Sequence, residues 1–99
     1  MANWRQLGAI WQLRPAEPTG LIEFIGGSYL AATPQISYRR LLEELAADGL
    51  AVHAWAYVPG FDHQRQARDA WSAFRSARRQ LEERCETFGA PLRLGHSLG

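Results

Sequence analysis

Gly95-His96-Ser97-Leu98-Gly99 is a G-x-S-x-G pentapeptide, and the residues before it, Pro91-Leu92-Arg93-Leu94, read as a short strand. A strand that runs into this pentapeptide presents a serine oxygen on a turn too sharp for side chains beside it, hence the flanking glycines. Such a serine does acyl chemistry. A base must take its proton, and backbone N–H groups must hold the oxyanion that forms. Ser97 is therefore the candidate nucleophile, and the Leu98 N–H is one candidate oxyanion donor. The plain rival is a chance Gly/Ser turn.

A second donor would come from Gly26-Gly27-Ser28-Tyr29, which follows the apolar run Leu21-Ile22-Glu23-Phe24-Ile25. Glycine lets a backbone approach a ligand closely. The backbone N–H of Ser28, or of Tyr29, is the candidate, and Gly27 and Tyr29 could line a substrate. Two other readings of this segment stay open. One is a phosphate-binding loop, although no G-x-G-x-x-G or G-K-[ST] is present. The other is a simple strand-to-helix turn.

Asp62 and His63 follow the next apolar run, so they fall at the carboxyl end of a parallel sheet, where α/β proteins bind ligands. They could contact substrate. Asp62 could equally cap a helix, and His63 could be a surface group in its first turn. His96 adjoins the serine but points away from it on a sharp turn. His53 lies within a strand and reads as a sheet-facing side chain. Three scattered histidines and a single Cys85 give no metal-ligand spacing, so no metal or cofactor is expected. Cys85 reads as packed rather than reactive.

These residues need a scaffold of strands and helices in alternation. Trp4 to Leu13 alternates loosely around Gly8 and reads as two short strands or one bulged strand. Residues 21–26, 50–58 and 91–95 read as strands. The near-continuous apolar character of the first two suits a sheet covered on both faces. A helix is expected over about 34–48, with Thr33 as cap, Pro34 in the first turn and Gly49 in a left-handed stop. Tyr38, Leu41, Leu42 and Leu45 form its apolar face. A second helix is expected over about 62–88, with Ala67, Ala70, Trp71, Phe74, Ala77, Leu81, Cys85 and Phe88 inward. Arg65, Arg68, Arg75 and Arg79 fall on its solvated face. Strand, helix, strand, helix, strand predicts an α/β fold with a mostly parallel sheet and right-handed crossovers.

Within this scaffold, Phe24-Ile25-Gly26-Gly27, Ala31-Ala32-Thr33-Pro34-Gln35, Ser37-Tyr38-Arg39, Leu41-Leu42-Glu43 and Phe61-Asp62-His63 resemble an uncharacterised hydrolase-like family. It is domain of unknown function 1350, found in cyanobacteria and plant plastids. The stretch from Leu21 to Gly99 is similar, more broadly, to the first half of an α/β-hydrolase. The resemblance implies a partial hydrolase domain over residues 1–99. In it residues 21–26 are the third strand and lie between the fourth, 50–58, and the fifth, 91–95. Arg93 departs from the usual apolar fifth strand. It must reach solvent or find a carboxylate.

The implied function is serine-nucleophile hydrolysis of an ester or thioester, with a small acyl-type substrate. In that superfamily the acid and histidine follow the serine, so they are expected from residues beyond Gly99, and this sequence alone is expected to be inactive. The alternative is a non-catalytic binding or assembly module on the same scaffold.

Composition narrows the rest. Ninety-nine residues make one small domain or part of a larger one. A net charge of +1 points to neither nucleic acid nor an acidic membrane, and no stretch has the length of a membrane span. One cysteine forms no disulfide framework, and the first residues carry no secretory signal. A cytoplasmic setting is expected, or a plastid one in a plant. The fifth strand, with nothing outside it, is an exposed edge through which the chain is expected to self-associate.

Overall fold

The computed structural model describes residues 4–26, 32–57, 63–84 and 90–95. Among these residues five strands and three helices form one α/β unit. They are β1 (Trp4–Leu7), β2 (Ile10–Leu13), β3 (Gly20–Ile25), α1 (Pro34–Ser37), α2 (Arg39–Ala47), β4 (Leu50–Trp55), α3 (His63–Glu82) and β5 (Leu92–Gly95). The sheet order is β1-β2-β4-β3-β5. β3 runs parallel to both β4 and β5 and lies between them, the position that the resemblance implies. The N-terminal segment is two strands. Gly8, at φ 61°, turns β1 back on β2, and β2 then pairs antiparallel with β4. The sheet is thus mixed, with two parallel and two antiparallel pairings.

Each face of the sheet carries one crossover. The β3-to-β4 and β4-to-β5 connections run in opposite directions along the sheet, so crossovers of one hand need helices on opposite faces. α2 covers one face: Tyr38, Leu42 and Ala46 pack on Leu13, Ile22, Phe24 and Val52. α3 covers the other: Ala70, Phe74 and Ala77 pack on Ile10 and Trp55, and Leu81 packs on Leu21 and Ala51. Burying a side chain such as Phe24 or Leu42 is worth about 1.5–3 kcal/mol, and these contacts hold the two helices. The Trp4 indole adds a tie across the fold by donating to Glu43 Oε2 at 3.2 Å.

The helices depart from the expected outlines in four ways. The helix expected over 34–48 breaks at Tyr38, whose φ of −115° and ψ of 17° leave the helical region. The break turns the Tyr38 ring onto the end of β3. Thr33 holds the cap position without a side-chain capping bond; its hydroxyl meets Ser37 Oγ at 3.4 Å instead. Leu41 is exposed, because the buried face follows Tyr38, Leu42 and Ala46 at four-residue steps and Leu41 lies on its shoulder. Gly49 does end α2 in the left-handed region, at φ 95°. On α3 the buried stripe is Ala70, Phe74, Ala77 and Leu81, whereas Ala67 and Trp71 are exposed. The expected inward positions Cys85 and Phe88 lie outside the described residues.

Candidate functional site at the carboxyl end of the sheet

β3 and β5 end together. Ile25, the last residue of β3, is the register partner of Gly95, the last residue of β5. The next residues in sequence are Gly26-Gly27 on one side and His96-Ser97 on the other. The residues that precede the double-glycine motif and the serine motif therefore lie side by side at the carboxyl end of the sheet. Ser97, Leu98, Gly27, Ser28, Tyr29, Asp62 and His96 themselves lie outside the described residues. His63 begins α3, and its backbone alone is described.

An aromatic frame fixes the β3 end, and sequence reading did not foresee it. Tyr38 packs edge-on against Phe24, with centroids 4.7 Å apart and planes at 65°. A Cβ on Gly26 would lie 2.5 Å from Tyr38 Cε2. Only glycine fits there while the ring stays on Phe24. From the other side, Tyr57 donates its hydroxyl to the Gly26 carbonyl at 2.8 Å. Its ring stacks on Trp55 at 4.3 Å. Burial, followed by the neighbouring Tyr38, pushes the Tyr57 hydroxyl above its usual pKa of 10.0. Tyr57 thus stays a proton donor to that carbonyl throughout the neutral range. Gly26 is held between the Tyr38 ring and the Tyr57 hydroxyl.

Beneath this end, a polar row crosses the α3 face of the sheet. Arg5 pairs in register with Gln12, Gln12 with His53, His53 with Glu23, and Glu23 with Arg93. Every strand contributes one member. Gln12 donates through Nε2 to His53 Nε2 at 2.8 Å, which leaves the imidazole proton on Nδ1, where no partner is found among the described residues. His53 is fully buried, and burial lowers its pKa from 6.5 to about 4. It is neutral at pH 7 and faces the sheet, as its strand position predicts.

Arg93 finds its carboxylate. Its Nε donates to Glu23 Oε1 at 3.4 Å, and its guanidinium carbon lies 4.1 Å from the centre of the Trp71 ring. Glu23 is 4 % exposed and the Arg93 side chain 60 % exposed. The pair closes the floor of a groove of about 420 Å³ between α3 and β5, walled by Ile25, Ala67, Trp71 and Phe74 and ending at Gly95. At the opposite end of the row, Arg5 and Gln12 open into a polar groove of about 280 Å³ with Gln80, Glu83 and Arg84. Among the described residues no group of three or more His, Cys, Asp or Glu side chains is placed to hold a metal ion. None of their helices is long and apolar enough to cross a membrane.

A family model described as Protein of unknown function (DUF1350) matches residues 3–99. The chain belongs to the DUF1350 family. The match spans both the N-terminal hairpin and the G-x-S-x-G tail, so DUF1350 membership covers every element that frames the site. No curated protein and no solved structure matches the chain.

Proposed function

We propose that this DUF1350 chain forms the sheet and nucleophile turn of an α/β-hydrolase-like domain that hydrolyses an ester or thioester. Ser97 attacks the acyl carbon. The Leu98 and Ser28 backbone N–H groups hold the tetrahedral oxyanion, and Gly27, Tyr29, Asp62 and His63 border the acyl substrate. The base and acid are a histidine and an acidic residue that follow the serine in chain order, as the hydrolase resemblance implies.

The observation that supports this reading is the pairing of Ile25 with Gly95. An oxyanion site needs backbone donors from two separate turns converging on one serine, and adjacent parallel strands that end in register allow it. The rigid hold on Gly26 supports it further, since donors must be fixed before the charge develops. The strand order β4-β3-β5 agrees with the arrangement that the hydrolase resemblance implies.

The test is covalent. A protein carrying this sequence together with its base is treated with a fluorophosphonate, and the modified residue is located by peptide mass spectrometry. Modification at Ser97 that disappears in Ser97→Ala supports hydrolysis. A folded protein that stays unmodified supports a binding module instead.

A further inference from the structure

We infer that Glu23 and Arg93 are positioning residues: they select the register of β5 on β3 and thereby set where the serine turn emerges. This inference rests on the reading of Ser97 given above.

β5 is a weakly specified strand. It has four residues and pairs with β3 alone among the described strands. Leu92 and Leu94 remain 63 % and 38 % exposed, so apolar burial does little to fix its alignment. A slip of one residue would turn both leucines to the other face, and strand patterning resists it. A slip of two residues would not. Leu92 and Leu94 would stay on the α2 face, and Arg93 would stay on the α3 face. Hydrophobic pattern therefore fails to distinguish the observed register from its two-residue neighbours.

The polar row does distinguish them. In the observed register Arg93 stands beside Glu23. After a slip of two it would stand beside Ile25 or Leu21 instead. Glu23, buried in the sheet, would then lose its cation, and a buried carboxylate without a partner is strongly disfavoured. Trp71 adds a second restraint from α3, since its ring meets the guanidinium at 4.1 Å in the observed register. The consequence for the site is large. Two residues of strand measure about 6.5 Å, so a slipped β5 would carry Ser97 out of reach of donors in the double-glycine turn.

Cross-strand disulfides read the register directly. In a Cys85→Ser background, Ile22→Cys with Leu92→Cys reports the observed register, because these residues are partners. Ile22→Cys with Leu94→Cys reports the slipped one. In the parent sequence the first pair should form the dominant disulfide. In Glu23→Leu/Arg93→Leu, where an apolar pair replaces the ions, the ratio of the first disulfide to the second should fall by roughly fivefold or more. A pair that merely stabilises the fold would leave this ratio untouched. An unchanged ratio in the folded double variant overturns the inference. If that variant does not fold, Arg93→Gln, at an exposed side chain, carries the same test: a comparable fall supports the inference and an unchanged ratio overturns it. None of these variants alters Ser97. Failure of Ser97 to react with fluorophosphonate would count against the hydrolase reading and leave the register result standing. Where Ser97 does react, its labelling rate should fall together with the disulfide ratio.

Discussion

Ile25 and Gly95 are side-by-side partners at the ends of two parallel strands, with Gly26-Gly27 next in sequence after one and His96-Ser97 after the other. This relationship joins two motifs that are 69 residues apart in sequence, counting from Gly26 to Gly95. Under the proposed function, it makes the Tyr38 and Tyr57 contacts at Gly26 relevant to Ser97 and ties the alignment of β5 to the chemistry.

Gly26→Ala should destabilise the chain by about 1–3 kcal/mol in urea unfolding, the usual cost of forcing atoms into a packed site. The new Cβ would meet the Tyr38 ring at 2.5 Å, and that ring cannot retreat without leaving Phe24. Combining Gly26→Ala with Tyr38→Leu should recover part of the loss. A Gly26→Ala protein as stable as the parent would show that the ring does not hold this position.

Stability should fall in mild acid because of His53. Its folded pKa is about 4 against 6.5 unfolded. Between these values the unfolded chain binds more protons, so stability rises with pH through this window. The contribution is fully present above pH 6.5 and is lost progressively as the pH falls toward 4. Its size follows from 1.36 kcal/mol per pKa unit and comes to about 3 kcal/mol. His53→Gln does not titrate here and should show a shallower decline between pH 6.5 and 4. Parallel stability curves for the two proteins would contradict this.

Phe74 and Trp71 should behave oppositely, although they sit on the same helix. Phe74 is buried against the sheet, whereas Trp71 is 47 % exposed beside the groove. Phe74→Ala should cost about 3–5 kcal/mol, a large share of the roughly 5–15 kcal/mol available to a small domain. Trp71→Ala should cost about 1 kcal/mol or less, the scale of a partly exposed cation–π contact. Thermal unfolding of both variants checks the order.

The outer edge of β5 should drive association of the isolated chain. Among the described residues nothing pairs with that edge, and Leu92 stands exposed on it. Arg93, which could protect an edge by its charge, is turned back onto Glu23 and Trp71. Light scattering during size-exclusion chromatography should show species larger than a monomer, and Leu92→Lys should shift them toward monomer. A parent chain that runs as a single monomeric species would refute this.

The strand-and-helix alternation was legible because local pattern specifies it. The apolar runs of β3 and β4, the stop at Gly49 and the four-three-four spacing of Ala70, Phe74, Ala77 and Leu81 are all written in neighbouring residues. The middle position of β3 followed from resemblance rather than from pattern. What stayed illegible depends on distant pairs. Arg93 needed either solvent or a carboxylate, but Glu23 lies 70 residues away and only the register joins them. Gln12 and His53 are separated by 41 residues, and neither announces the other. The break at Tyr38 has no glycine or internal proline to mark it. It places a ring against Phe24 and Gly26, a tertiary demand that overrides helix continuity. At the candidate site, the glycines and Ser97 were visible as motifs, whereas the tyrosines that brace Gly26 were not.

The central claim is that the double-glycine turn and Ser97 lie together above the sheet end. Amide-resolved NOE spectroscopy of the labelled protein measures this most directly. Cross-strand contacts between Ile25 and Gly95 should be accompanied by contacts between the Ser28 amide and the Ser97 β protons. If the Ile25–Gly95 contacts are present and the Ser28–Ser97 contacts are missing, the two turns diverge above the sheet and the proposed oxyanion site does not exist.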